Sequence, residues 1–251
     1  MTAVKEKSGK KEDFGIKPEE MAKAGLHFGH RVSKRHPKMQ PFLYGVRNNV
    51  HIIDLEKTAE KLKEALQFIQ ELVREKKVIL FVGTKIQVKD LVQETAMACL
   101  MPYITDRWLG GTFTNFKTFQ KRIEHFKDLE KKKESGELEK YTKKEVAQIE
   151  KELQDLEKKF SGIKNLNQIP EAIFVLDMKK DALSIKEARK KGVKVIAISD
   201  TNVDPSLADY PIPANDDAIS SVKYILDKVK EVILKEKSKI QTTNAKSSPN
   251  K

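Results

Sequence analysis

Four short apolar runs, at residues 78–82, 173–176, 193–198 and, more weakly, 210–212, are rich in β-branched residues and predict buried strands. Helical patterns lie between or beside these runs at residues 55–74, 87–100, 181–191 and 217–235. Gly192 stands where a helix C-cap is expected. Strands that alternate with helices predict an α/β fold, in which helices cover both faces of a parallel sheet.

A second kind of pattern precedes the first buried strand. Residues 42–54 form two apolar runs around Asn48-Asn49. Asparagine tolerates a positive φ better than most residues, so a pair of them between two apolar runs predicts a β-hairpin.

The segment 116–160 breaks the alternation of strands and helices. Its apolar residues follow 3-4 spacing on two stretches, Phe116, Phe119, Ile123 and Phe126, then Val146, Ile149, Leu153, Leu156 and Phe160. A narrow stripe of this kind is typical of a coiled-coil seam, and Ser135-Gly136 can turn the chain. We expect an antiparallel coiled-coil hairpin inserted in the α/β domain; two ordinary amphipathic helices packed on the core are the alternative.

The predicted organisation is therefore one α/β domain with an insertion. Residues 16–115 and 161–235 form the domain, residues 116–160 the hairpin, and residues 1–15 and 236–251 disordered ends. No apolar stretch approaches the length of a membrane span, no apolar leader precedes the domain, and a single cysteine, Cys99, forms no internal disulfide. A cytoplasmic protein without membrane contact is the expectation.

Charge changes this picture by suggesting a partner. The chain carries 49 Lys and Arg against 37 Asp and Glu, a formal net charge of +12. This excess is typical of proteins that bind polyanions, although a merely lysine-rich soluble protein has the same net charge. The distribution favours the first interpretation, since residues 31–47 hold five cationic residues and no acidic residue, whereas the predicted hairpin is nearly charge-balanced.

Gly83-Thr84-Lys85 lies between a predicted strand and a helix, where α/β folds bind phosphate. One glycine is too few for a P-loop or a dinucleotide-binding loop. We therefore interpret Gly83 as a tight turn and Lys85 as a solvated or phosphate-facing cation, and we expect no nucleotide cofactor.

Four aspartates follow predicted strands or open the last helix: Asp200, Asp204, Asp216 and Asp217. Because parallel strands end at one edge, these carboxylates converge there without an evident counter-charge and can hold a divalent cation, with His27 or His30 as a nitrogen ligand. The alternative is structural: Asn215 or Asp216 caps the helix, and Asp200 and Asp204 shape a turn. No nucleophile–base pair accompanies them, so the sequence does not favour an enzyme.

Two glycine-containing blocks are candidates for RNA contact. Residues 24–38 combine glycines with imidazole, guanidinium and ammonium groups that suit phosphates and 2′-hydroxyls. In this block we expect Phe28 in the core, with a stacking surface as the alternative. Residues 106–115 lead into the hairpin, where Arg107 either contacts RNA or pairs with Asp106, and Thr112, Thr114 or Asn115 caps the helix.

These blocks carry a family resemblance. The segments AGLHFGH at 24–30, ILFVGTK at 79–85, RWLGGTFTN at 107–115 and ISDTNVDPSLADYPIPANDDAISSV at 198–222 resemble the bacterial small-subunit ribosomal protein two family, over residues 16–233. The resemblance implies a flavodoxin-like three-layer sandwich around a parallel sheet, interrupted by a coiled-coil hairpin. It also implies a non-catalytic ribonucleoprotein component that contacts rRNA between the head and body of the small subunit. In that position it lies among other ribosomal proteins and helps to hold ribosomal protein one, which captures mRNA in translation.

The resemblance and the charge pattern together select the candidate site residues. The RNA-binding candidates are His27, His30, Arg31, Lys34, Arg35, His36, Lys38, Arg47, Lys85 and Arg107. The family's metal site, for zinc or magnesium, corresponds to His30, Asp200, Asp216 and Asp217. A small-molecule enzyme is disfavoured by the missing catalytic pair, and a free RNA-binding regulator by the scarcity of aromatic residues, which are 7% of the chain.

Overall fold

A computed structural model of the chain describes residues 14–246, without the side chains of residues 139 and 241–246. The helices are Pro18–Ala24 (α1), Leu55–Arg74 (α2), Lys89–Ala98 (α3), Phe116–Glu134 (α4), Lys143–Phe160 (α5), Ala182–Lys191 (α6) and Ile219–Lys246 (α7). The strands are Phe28–Arg31 (β1), Leu43–Arg47 (β2), Val50–Ile53 (β3), Ile79–Val82 (β4), Tyr103–Ile104 (β5), Ala172–Val175 (β6), Lys194–Ser199 (β7) and Tyr210–Pro213 (β8). Most of the expected disordered extension, residues 1–13, and the last five residues of the expected tail lie outside this description.

The larger sheet has five strands in the order β5-β4-β6-β7-β8, and every neighbouring pair is parallel. Counted from its own first strand, this order is 2-1-3-4-5, that of flavodoxin-like folds. The predicted α/β class and flavodoxin-like sheet are confirmed. The sequence pattern did not predict β5, because a strand of two residues is too short to show a periodicity.

Side chains alternate between the two faces of this sheet. On β4, Ile79 and Phe81 point into one buried cluster, whereas Leu80 and Val82 point into the other. The first cluster contains apolar residues of α1, α2, α3 and α7, and the second contains those of α4, α5 and α6. Burial on both faces explains why the strands are almost continuously apolar, and it produces three layers.

The smaller sheet is antiparallel, with the order β1-β3-β2. Asn48 and Asn49 have φ values of 49° and 62° between β2 and β3, which confirms the predicted hairpin. Strand β1, which was not predicted, attaches this sheet to the rest of the fold because the backbone N–H of His30 donates to Thr201 Oγ1 at 2.8 Å. A Cβ on Gly29 would lie 2.4 Å from Thr201, so only glycine permits this approach.

Helices α4 and α5 form the predicted helical hairpin, and they run antiparallel: Phe119 stacks edge-on against Phe160 at 5.2 Å, while His125 Nε2 lies 3.1 Å from Glu152 Oε1. Gly136, at φ 75°, turns the chain, and a capping box at Thr142 begins α5. At its base the hairpin packs on the large sheet, because its buried residues belong to one cluster with residues of the sheet. The coiled-coil packing itself stays a prediction.

The loop before this hairpin is held by a carboxylate of α6. Glu187 is buried and accepts the backbone N–H groups of Gly111 at 2.7 Å, Phe113 at 2.9 Å and Thr114 at 3.2 Å. Burial alone would raise the pKa of Glu187, but these donors outweigh burial and lower it. Asn115 occupies the N-cap position of α4 without the side-chain hydrogen bond that the sequence suggested.

The last helix also differs from prediction. It continues to Lys246 instead of ending at residue 235, so residues 236–246 are helical and not a disordered tail. The reason is an anchor beyond the predicted end: buried Glu236 accepts from Gln70 Nε2 at 2.7 Å and Arg74 Nε at 3.0 Å on α2. At the other end of the description, Phe14 packs against the core, although residues 1–15 were assigned to a disordered extension. Within residues 14–246, no helix combines the length and apolarity needed to span a bilayer.

We predict that the base and the tip of the helical hairpin differ in importance. Replacing residues 131–146 by a short Gly/Ser turn removes mostly exposed tip, so the midpoint of thermal unfolding should fall by only a few degrees. Joining residue 115 to residue 161 also removes Phe119 and Phe160 from the sheet's cover, and should give an aggregating or uncooperatively melting chain. Equal, native-like melting of both variants would show that the sheet does not need the hairpin.

Candidate RNA-binding surface and carboxylate cluster

The carboxyl ends of the parallel strands meet at one edge of the large sheet, where acidic side chains collect. Asp177 follows β6, Asp200 follows β7, and Asp216 and Asp217 follow β8. We call these four residues the carboxylate cluster. Asp177, Asp200 and Asp216 are buried, whereas the side chain of Asp217 is 61% exposed. The sequence predicted this convergence for all of them except Asp177.

Lys85 lies within the carboxylate cluster. Its Nζ is 2.6 Å from Asp217 Oδ1, 3.1 Å from Asp216 Oδ1 and 3.4 Å from Asp177 Oδ2. The side chain is only 15% exposed, so the interpretation of Lys85 as a solvated cation is wrong. The assumption that the aspartates lack a counter-charge is wrong for the same reason: the ammonium of Lys85 is that counter-charge.

The imidazole of His30 closes the cluster on the side of the small sheet. Its Nδ1 is 3.2 Å from Asp200 Oδ1, and its Nε2 is 3.5 Å from Asp217 Oδ2 and 3.0 Å from Asn202 Nδ2. Asp200 also accepts the backbone N–H of Asp216 at 3.3 Å. These contacts connect β1 to the ends of β7 and β8, which are about 170 residues later in the chain.

The electrostatics of the cluster are strongly coupled. Burial, followed by the charges of Asp200 and Asp177, raises the pKa of Asp216 from 3.8 to about 7. A hydrogen bond to Asp200 raises the pKa of His30 against the opposing effect of burial. For Lys85, burial alone would lower the pKa, but Asp217 and Asp216 more than offset burial and raise it.

These shifts define a pH dependence of stability. A carboxyl group whose pKa is raised by folding stabilises the folded state most at pH values below its ordinary pKa. For Asp216 this stabilisation is lost as the pH rises from about 4 to about 7. The contribution of His30 is fully present below pH 6.5 and is lost as the pH rises through its higher folded-state pKa. Both groups therefore favour the folded state at mildly acid pH.

The neighbouring turn at Gly83 confirms the prediction of a tight strand-to-helix connection. A Cβ on Gly83 would lie 2.7 Å from both Leu176 and Val92, so the glycine allows close packing. The backbone N–H and hydroxyl of Thr84 donate to buried Asp181 at 3.3 and 2.8 Å. These donors are therefore already occupied by a carboxylate of the protein itself, and this arrangement does not resemble a phosphate-binding loop.

The suggested metal ligands come together, but their arrangement does not fit a metal ion. His30, Asp200, Asp216 and Asp217 are neighbours, yet the Lys85 ammonium lies among the carboxylates that a cation would bridge. Across residues 14–246, no three His, Cys, Asp or Glu side chains are placed to share one ion. A divalent cation here would require Lys85 to move away.

The structural alternative for the acidic segment is confirmed at Asp204, which shapes a turn, whereas Asn215 forms a turn before α7 and does not cap the helix as predicted. Asn215 Oδ1 accepts the N–H groups of Asp217 and Ala218 at 2.9 and 3.2 Å, just before α7. Asp204 accepts the N–H of Ser206 at 2.9 Å and so begins the turn at Pro205.

The RNA-binding candidates fall into groups of different exposure. Arg31, Lys34, Arg35, Lys38, Arg47 and Arg107 are exposed, His27, His30 and His36 are partly buried, and Lys85 is mostly buried. Lys38 Nζ binds Asp204 at 2.7 Å, and Arg35 donates to Gln40. Arg107 makes no ion pair with Asp106 in the described structure. Phe28 is 49% exposed, so the prediction that it lies in the core is wrong.

Three residues important to this edge were not found by sequence reasoning: Asp177, Asp181 and Glu187. Asp177 directly follows a predicted strand, as Asp200 does, and the same strand-end argument would have selected it. Asp181 and Glu187 begin and continue a helix, where acidic residues are ordinary, and no sequence signal distinguishes them.

We predict that Lys85→Met destabilises the fold by about 3 kcal/mol, because it leaves buried carboxylates without their cation. The loss should be larger at pH 8 than at pH 5, since protonation of Asp216 relieves the repulsion at lower pH. Adding Asp216→Asn should restore much of the stability at pH 8. Thermal unfolding of the three proteins at both pH values measures the effect.

A chelator serves as the control for this prediction. EDTA should leave the unfolding midpoint of the native chain unchanged, because Lys85 already neutralises the cluster. A lower midpoint in EDTA, or a Lys85→Met variant as stable as the native chain at pH 8, would contradict this assignment.

Comparisons with known proteins agree with the fold and the site segments. Residues 21–236 match the family described as Ribosomal protein S2. The small ribosomal subunit protein uS2 of Coprothermobacter proteolyticus is 45% identical over 215 residues, 86% of this chain and 80% of that protein. The uS2 of Koribacter versatilis is 43% identical over 234 residues, 91% of this chain and 78% of that protein. The chain therefore belongs to the ribosomal protein S2 family, whose members are components of the small ribosomal subunit and not enzymes.

Proposed function

We propose that this chain binds small-subunit rRNA at the junction of head and body through residues 21–53, the cationic segment. In this cytoplasmic particle it also helps to hold ribosomal protein one, which captures mRNA. The position between head and body and the link to ribosomal protein one come from the family resemblance. The charge and the exposure of the cationic segment support it as the part that contacts rRNA.

One observation carries the proposal for rRNA. The cationic segment contains six Lys and Arg residues and no Asp or Glu, so it supplies half of the chain's net charge of +12. Arg31, Lys34 and Arg47 are exposed, and in the described structure none of the three forms an ion pair. Cations that form no ion pair are available to phosphates, and each phosphate neutralised releases counterions.

The fold supports this use of the segment because it holds the cations on a rigid surface. The small sheet is fixed to the large one through Thr201, whose backbone oxygen accepts the N–H of His36 at 2.8 Å. Lys38 is tied to Asp204 and Ser206 on the same side. Arg31 and Lys34 therefore project from a fixed backbone, and less conformational entropy is lost on binding than with a free tail.

We predict that replacing Arg31, Lys34 and Arg35 together by Ala weakens binding to a small-subunit rRNA fragment and lowers the salt slope of log K by up to about 3. A matched control replaces Lys131, Lys132 and Lys133, three exposed cations at the tip of the helical hairpin. Titrations at several salt concentrations compare the variants. An equal loss in the control would show that binding follows net charge and not this segment.

We predict for the second part of the proposal that small subunits depleted of this chain also lose ribosomal protein one. Subunits reconstituted with and without the purified chain are sedimented, and the bound fraction of ribosomal protein one is measured. Retention in the depleted subunits would exclude an anchoring role and would leave the rRNA-binding proposal unaffected.

A further inference from the structure

The outer face of the small sheet carries two adjacent rows of side chains with different chemistry. Phe28, Ile52 and Gly45 are paired across the three strands, and so are Arg31, Val50 and Arg47. Paired residues share one face of a sheet, and the rows lie about 7 Å apart, since a strand rises about 3.3 Å per residue. An apolar row thus lies beside a row with an arginine at each end.

Two aromatic side chains beside this apolar row, or in it, are unusually exposed for a sheet. Phe28 is 49% exposed, and Tyr44, next to Gly45 on β2, is 83% exposed. The rings of His27 and Phe28 are in contact, with their centroids 4.0 Å apart and their planes tilted by 39°. Burial lowers the pKa of His27, so at neutral pH this imidazole is uncharged and adds flat surface.

Neither packing within the chain nor backbone conformation requires a glycine at position 45. A Cβ there would meet nothing within 4 Å, and its φ is not positive, so the irregularity between Leu43 and Gly45 does not require it either. Gly29 is different, since its Cβ would strike Thr201. A strand glycine without packing or backbone cause marks a place where something outside the chain approaches closely.

Gly45, which has no side chain, lines the floor of a hollow of about 800 Å³. Its walls include Phe28, Tyr44, Ile52 and Arg47. This volume lies in the range of sites for small flat ligands. The hollow is apolar on its floor and cationic at one side, which matches the two parts of a nucleotide, an aromatic base and a charged phosphate.

Charge decides between a nucleotide and a peptide as the occupant. A strand edge with exposed apolar residues also suits a peptide, but none of residues 21–53 is acidic and six are Lys or Arg. That local field favours a polyanion and gives no selectivity for a neutral peptide. Unpaired bases of RNA commonly stack on aromatic side chains of sheet surfaces while arginines hold the phosphates.

We propose that this hollow receives one unpaired base of rRNA, stacked on Tyr44 and Phe28 over Gly45, with its phosphate at Arg31 or Arg47. The proposal rests on the proposed function, since it names the contact through which the cationic segment reads RNA. It adds a contact that depends on an unpaired base and not on phosphate charge.

The test is to fill the hollow without unfolding the sheet. Gly45→Val adds a β-branched side chain where a Cβ meets nothing, so the unfolding midpoint should stay the same or rise. Binding to the small-subunit rRNA fragment should weaken about tenfold, the loss of one stacked base, while the salt slope stays unchanged because no phosphate contact is removed. Tyr44→Ala should act in the same way, and Tyr44→Phe should bind like the native chain.

Two further outcomes separate this inference from the proposed function. In the first, Gly45→Val binds RNA like the native chain while the Arg31/Lys34/Arg35 variant loses both affinity and salt dependence. That result would overturn the proposal of a stacked base and leave the proposal for the cationic segment intact. If Gly45→Val instead only displaces a neighbouring protein from reconstituted subunits, the hollow is a peptide site and this inference is overturned. Chemical probing of unpaired bases supports it when a base protected by the native chain becomes reactive with Gly45→Val.

Discussion

Negative charge collects at the carboxyl edge of the parallel sheet, and its neutralisation by one lysine is the interaction on which the arrangement of the site depends. A parallel sheet directs the carboxyl ends of all its strands to one edge, so Asp177, Asp200 and Asp216 lie close together there. Lys85 follows β4, the strand at which the strand order reverses, and its ammonium reaches three carboxylates. The same edge that binds ligands in related folds is here closed by the protein's own ion pairs.

Closing this edge also positions the surface that we propose for RNA binding. His30 contacts Asp200 and Asp217, and Gly29 allows Thr201 to approach the backbone of β1. The inner side of the small sheet is therefore committed to internal contacts, and its outer side, with Arg31 and Arg47, is left for a partner. The acidic side chains at the sheet edge therefore help to hold the cationic segment in place, through His30.

The periodic features of this fold could be predicted from the sequence, and the pairwise features could not. Helix α2 begins and ends where the 3.6-residue pattern predicts, and the Asn48-Asn49 hairpin follows from the tolerance of asparagine for positive φ. The partners of Lys85 are over 90 residues away along the chain, and no periodicity reports such a contact.

Other errors have related physical causes. Phe28 was placed in the core because it is aromatic, yet it pairs with Ile52 on the outer face of the small sheet and is 49% exposed there. Helix α7 was ended too early because the polar composition after residue 235 hides the anchor at Glu236, which is satisfied by Gln70 and Arg74 on another helix. In both cases the residue's type suggested one environment and its tertiary partners determined another.

The attachment of β1 to the far end of the chain has a consequence for synthesis. The cationic segment leaves the ribosome early, whereas Thr201, its docking partner, is made 171 residues after His30. Contacts of such long sequence separation form late and slowly. During translation, the cationic segment, which has no acidic residue of its own, therefore stays undocked until the chain is almost finished. On the proposed function, a nascent chain that meets RNA before then presents an unformed surface, and recognition of rRNA starts only when the C-terminal strands are in place.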